Sequence, residues 1–177
     1  SFMNLKKSFL IILLILLIDQ FSKVYIKLHF PLTLYGETAL LDWGWFKILF
    51  VENKGMAWGT KLNDILPFIQ ERTGKLILTL FRVLVVPIIF YWLYDSIRKN
   101  TNKLLPFCLS LILAGALGNI LDSVFYGYLF TDSYYNIASF SPGNGYESFL
   151  HGNVVDMLQF PMFTWEWPVW IPYIGGN

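Results

Sequence analysis

Residues 76–97 form one run of 22 mostly apolar residues, and as a helix they would extend about 33 Å, enough to cross a hydrocarbon layer of about 30 Å. Inside a bilayer the backbone must satisfy its own polar groups, so a single run of this kind reads as a spanning helix. Two more runs, residues 8–28 and 104–128, have the same character. With 55% hydrophobic and 14% charged residues, the whole chain departs from the balance of a soluble domain. The net charge of +1 offers no global field for nucleic acid or an acidic partner. The reading is one transmembrane domain over residues 1–177, a mainly α helical bundle with three spans.

The first run follows Lys6 and Lys7, as in a secretory signal peptide, but no small-residue cleavage site comes after it. Instead, Asp19-Gln20-Phe21-Ser22-Lys23 continues into more apolar residues. In the second run Pro87 removes a main-chain donor and is expected to kink the helix. Arg82 lies near enough to one end to snorkel toward headgroups. In the third, Ala114 and Gly118 are four apart and offer a small-residue face to another helix. Cys108 is the single cysteine and reads as a small buried apolar residue, with no internal disulfide possible.

Lys6 and Lys7 precede the first span, and Arg98, Lys99 and Lys103 separate the second from the third, which predicts a cytoplasmic N-terminus. Residues 29–74 and everything after Tyr128 are then expected outside. Residues 38–42 and 45–51 are rich in β-formers around Trp43-Gly44 and predict a hairpin. The second of these is apolar at Phe46, Ile48 and Phe50 but also at Leu49 and Val51, so strict alternation fails, as in a small sheet lying on the membrane surface. Residues 162–177 hold three tryptophans among prolines and are expected to lie in the interface.

A carboxylate within or beside a membrane span is costly and marks a candidate site. Asp19, Asp122 and Asp156 qualify. Asp19 and Lys23 are one turn apart in the favourable acid-first order, which suits a structural ion pair as well as a functional one. Asn119 and Asp122 share a face, either for hydrogen bonding between helices or at the edge of a catalytic pocket. Asp156 sits in Val154-Val155-Asp156-Met157-Leu158 with no basic residue nearby in sequence, and a purely structural role fits it least. The two histidines, His29 and His151, are isolated and no His-Glu-x-x-His occurs, which disfavours a zinc protease. No Gly-x-Ser-x-Gly is present, and adjacent Ser22 and Lys23 project from different helical faces, so serine chemistry is disfavoured too. Carboxylate chemistry remains.

Four motifs in order resemble the bacterial lipoprotein signal peptidases, and the resemblance covers essentially the whole chain. Asp19 followed by Lys23 is similar to the family's Asp and Lys at the outer end of the first span. Asn53-Lys54-Gly55-Met56-Ala57 resembles its Asn-x-Gly-x-Ala, Gly118-Asn119-Ile120-Leu121-Asp122 its Gly-Asn-x-x-Asp, and Val154-Val155-Asp156 its Val-Val-Asp. Ser123 stands where family members commonly carry arginine, and residues 128–153 are longer than in compact members. This is similar to a branch with an enlarged outer loop. The family's fourth span, with an Asn-x-Ala-Asp motif holding a second catalytic aspartate, is expected beyond residue 177.

The resemblance implies an intramembrane aspartyl endopeptidase of the bacterial cytoplasmic membrane, with its active site facing outside. It would cut a diacylglyceryl-modified prolipoprotein just before the lipidated cysteine. Asp156 is implied as one catalytic carboxyl, with Asp19, Lys23, Asn53, Gly55, Ala57, Asn119 and Asp122 binding substrate or supporting the site. No metal, cofactor or nucleic acid is implied. Membrane lipids and lipopeptide inhibitors such as globomycin are implied as partners. Alternative readings are a non-catalytic membrane scaffold and a lipopeptide-binding remnant lacking the second aspartate. Alone, the 177 residues are expected not to turn over substrate.

Overall fold

The computed structural model describes residues 3–33, 40–44, 46–53, 65–100 and 102–159. Among these residues, three helices are each long and apolar enough to cross a membrane: α1 (Leu5–His29), α2 (Glu71–Lys99) and α3 (Leu104–Leu129). Asn4 caps α1 by accepting from the Lys7 N–H at 2.8 Å, and Asn102 does the same for α3 through Leu105 at 2.9 Å. Such caps satisfy donors that a helix start leaves orphaned. α2 ends at Asn100, which adopts a left-handed conformation at φ 51° and closes the last turn. Pro87 lies inside α2 without ending it.

α3 is the central helix and packs against both α1 and α2. At one end of the bundle Ile12, Leu93, Leu109, Leu113 and Ala114, drawn from all three helices, form a buried apolar cluster. A second buried apolar cluster, at the sheet end, contains Ile26, Phe50, Tyr126, Phe130, Ala138 and Val155, while many other apolar side chains face outward, among them Leu14, Leu17, Phe21, Leu84 and Ile88. Lipid tails are as apolar as leucine, so a bilayer accepts this surface and helix association depends on close packing instead. Gly118 shows how close. A Cβ there would collide with the Asp19 carboxylate, so any larger residue at that point would push Asp19 out of its place beside Lys23.

At the other end the chain forms a three-stranded antiparallel sheet in the order β1-β2-β3. β1 (Leu41–Asp42) and β2 (Lys47–Asn53) make the hairpin read from the sequence, with Leu41 opposite Ile48 and Gly44 at φ 81° in the turn. β3 (Val154–Gln159) is a strand that local sequence did not announce. Its register on β2 shifts between Ile48 and Val51, which is a β-bulge. The bulge explains the broken alternation at Leu49, Phe50 and Val51. A second irregularity lies in α3, where Asp122–Tyr126 forms a π-helical turn, a wide turn frequently found at functional sites. The expected interfacial segment, residues 162–177, lies outside the described residues.

Candidate active site

The helical spacing of Asp19, Gln20 and Lys23 turns all three toward α3. Lys23 Nζ lies 2.7 Å from Asp122 Oδ2 and 3.2 Å from Asp19 Oδ2, and it donates to Asn119 Oδ1 at 3.3 Å. Asp122 has no exposed surface. Its other oxygen accepts from Gln20 Nε2 at 3.0 Å, and Gln20 Oε1 accepts from the Tyr126 hydroxyl at 2.7 Å. Burying an ion is costly unless its lone pairs and protons are all used. Here they are used, so the cluster fixes α1 against α3 in one register. Gln20, not singled out from sequence, is a full member. Its signal was a polar side chain three residues before Lys23 on the same face.

The cluster also holds the strand. Asp122 Oδ2 accepts the backbone N–H of Val155 at 3.1 Å, which pins β3 one residue before Asp156. In the β2–β3 register Val51 lies opposite Asp156 and Asn53 opposite Val154. Directly opposed residues share a face, so Asn53, Val51 and Asp156 all project from the same side. Val154 and Val155 are buried while Asp156 is exposed. Partial burial nevertheless pushes the Asp156 carboxyl above the usual aspartate range, opposed by a hydrogen bond from Asn53 and by the charges of Lys23 and Arg82.

A family description, Signal peptidase (SPase) II, matches residues 11–171. The chain belongs to the signal peptidase II family. It is 41% identical over 169 residues to a lipoprotein signal peptidase of Porphyromonas gingivalis, covering 94% of this chain and 69% of that protein. A lipoprotein signal peptidase of Amoebophilus asiaticus is 30% identical over 171 residues, covering 96% of this chain and 66% of that protein. In three dimensions the chain resembles a bacterial membrane enzyme solved by the in meso method at 2.3 Å resolution. The TM-score is 0.54, with 23% identity, covering 93% of this chain and 76% of that one. The last likeness concerns the fold.

This signal peptidase II chain thus brings Asp19, Lys23, Asn119 and Asp122 into one cluster and Asn53 and Asp156 into another, joined through Val155. Gly55 and Ala57 lie outside the described residues. Arg82 departs from the snorkelling expectation. It is half-buried and its Nη1 donates to Ser123 Oγ at 3.4 Å, the residue standing where the family commonly has arginine. A small cavity between them is also lined by Asn53, and Arg82 is in electrostatic reach of both Asp156 and Asp122. The guanidinium has polar protein groups to face here, so it turns inward.

Two further residues have no local sequence signal. Lys27 is fully buried, donates to Glu52 Oε1, and lies 5.1 Å from the ring centre of Tyr146 and 5.6 Å from that of Phe50. Glu52 Oε2 in turn accepts from Asn153 Nδ2 at 3.0 Å. This second ion pair ties α1 to β2 immediately beside Asn53. The return to β3 is tight as well. Gly152 N–H donates to Ser123 O at 2.9 Å, and a Cβ on Gly152 would press on the backbone oxygens of Asp122 and Ser123.

Proposed function

We propose that Asp156 is one of the two carboxyls through which this membrane protease cuts diacylglyceryl-modified prolipoproteins just before the lipidated cysteine. The observation that carries the reading is the contrast at β3. A buried, fully satisfied Asp122 fixes the strand through Val155, and the next residue presents an exposed carboxyl with Asn53 beside it. A residue that serves structure alone is paired and enclosed, as Asp122 is. A residue that serves chemistry is held in place and left accessible.

In the mechanism one ionised carboxyl takes a proton from water as the water oxygen attacks the scissile carbonyl. The second carboxyl, protonated, gives its proton to the carbonyl oxygen. In the collapse of the resulting gem-diol the first carboxyl, now protonated, gives its proton to the amine nitrogen while the second, now ionised, takes one from a gem-diol hydroxyl, so the C–N bond breaks and the pair again holds one proton. Two carboxyls within reach of one water titrate as one unit. The resemblance assigns the second to an Asn-x-Ala-Asp motif, which does not occur in residues 1–177. Asp122 does not substitute for it, since both its oxygens are engaged. Lys23, Asn119, Gln20 and Asp19 act as positioning residues, Asn53 orients Asp156, and Lys23 and then Arg82 supply the charges that moderate its carboxyl. Gly55 and Ala57 belong with the substrate-binding residues. A lipopeptide such as globomycin would compete at the same carboxyls.

The N-terminus and the loop of residues 100–103 are placed in the cytoplasm and Asp156 outside, on the bias of lysine and arginine in the short loops. Cysteine introduced at Asn100 should label only after the membrane is permeabilised, and labelling in sealed cells would reverse the topology. The catalytic test compares the 177-residue chain with one extended through the Asn-x-Ala-Asp span, on a diacylglyceryl-modified prolipoprotein. Asp156→Asn in the extended protein should retain substrate and lose turnover by about 10³-fold or more. Turnover equal to the parent protein would remove Asp156 from the mechanism.

A further inference from the structure

Beside the sheet lies a cleft of about 1040 Å³, at the upper end of the range for ligand sites. One wall is β2, at Val51 and Glu52. The opposite wall comes from residues 132–151, the enlarged loop, at Asp132, Tyr134 and Glu147. The start of α2 closes it. Arg72 Nη1 lies 2.6 Å from Glu147 Oε2 and Nη2 donates to Ser148 Oγ at 2.7 Å. Lys75 donates to His151 O at 2.6 Å and to Asn153 Oδ1 at 2.7 Å. These bonds hold the loop away from β2 and keep the cleft formed.

We propose that this cleft binds the hydrophilic polypeptide that follows the lipidated cysteine of the substrate, as a subsite built by the enlarged loop. The inference rests on the reading of Asp156 as catalytic. Val51 lies opposite Asp156 in the β2–β3 register and also lines the cleft, so the cleft adjoins the strand pair that carries the carboxyl. Its lining carries Glu52, Glu71, Asp132 and Glu147 against Arg72 and Lys75. An acyl chain or an apolar signal helix would strip water from these charges without replacing it. Of the substrate's three parts, only the polar segment beyond the cysteine matches such a lining. Tyr134, exposed on the rim and edge-on to Tyr135 at 4.4 Å, offers an aromatic surface to an extended chain, and each substrate residue advances about 3.3–3.6 Å along it. Several residues beyond the cut are therefore read.

The test uses the protease extended through its Asn-x-Ala-Asp span and two lipidated substrates, one ending two residues after the cysteine and one continuing for ten. The parent enzyme should prefer the longer substrate in kcat/KM. Tyr134→Ala and Asp132→Asn, both on the exposed rim, should lower that long-to-short ratio by about tenfold, on the scale of one aromatic anchor, and the change should lie in KM. In the inactive Asp156→Asn protein, a photoreactive group four residues after the cysteine should crosslink to residues 132–151. An unchanged ratio together with no crosslink in the loop would overturn the subsite. Cleavage of both substrates by Asp156→Asn would instead defeat the catalytic reading on which it rests.

Discussion

The two ends of the bundle are held together differently. At the sheet-free end, Ile12, Leu93, Leu109, Leu113 and Ala114 meet in an apolar cluster, and the hydroxyls of Ser96 and Ser110 bond within their own helices, to Leu93 O and Pro106 O. The sheet end has an apolar cluster too, around Phe50, Tyr126, Phe130 and Val155, but there buried ion pairs also run between elements, Lys23 to Asp122 and Lys27 to Glu52. Apolar packing loses stability by degrees as atoms are removed. A buried ion that loses its partner fails all at once. The proposed catalytic carboxyl sits at the end where charge and direction add to apolar packing, because hydrogen bonds orient a strand in a way that dispersion contacts do not.

Substitutions at the two ends should separate these principles. Lys23→Met leaves the enclosed Asp122 without its cation and should cost about 3–5 kcal/mol in detergent unfolding. Adding Asp122→Leu should recover much of the loss, and a double variant no better than the single one would remove the ion pair as the cause. Leu93→Ala at the other end should cost about 2–3 kcal/mol, while the folded fraction of the extended protease cleaves at the parent rate. Reduced turnover per folded molecule would show that the ends are coupled. Tyr126→Phe removes one hydrogen bond to Gln20 and should cost about 1 kcal/mol or less.

The smallest effect concerns pH. The folded Asp156 carboxyl titrates above its ordinary value because of partial burial, so the folded state holds that proton more tightly than the unfolded one. Its ionised form therefore costs stability above the raised value, and the cost vanishes below about pH 4, where it is neutral in both states. Asp156→Asn should melt slightly higher than the parent at neutral pH, and the two should converge as pH falls toward 4. A variant less stable than the parent at neutral pH would mean that the carboxylate holds the sheet together.

What could be read from sequence was what local spacing encodes. Asp19 with Lys23 and Asn119 with Asp122 lie within a helical turn of each other, so their shared faces were visible before any fold was known. The hairpin around Gly44 was visible for the same reason. β3 was not, because its partner β2 lies about a hundred residues earlier and Val154-Val155 alone does not separate a strand from a buried helical segment. Lys27 and Glu52 have no periodic relation, and only docking of β2 on α1 joins them. Arg82 looked like a snorkelling residue because its polar neighbour, Ser123, lies on another helix. The π turn at Asp122 had no pattern to announce it.

The buried Lys23 also sets a schedule for biosynthesis. Its partner Asp122 comes 99 residues later in the chain, which at bacterial or slower translation rates is a delay of about 5–20 s. During that interval α1 enters the membrane with an ammonium group and no α3 to receive it. Asp19, one turn away and 3.2 Å from the ammonium in the finished fold, can hold the charge from the moment the helix forms. The same carboxylate then rests against Gly118 when α3 arrives. Asp19 is thus placed to escort the lysine first and to form part of the seam afterwards. Its loss should be felt more in the yield of inserted protein than in the melting of molecules already assembled.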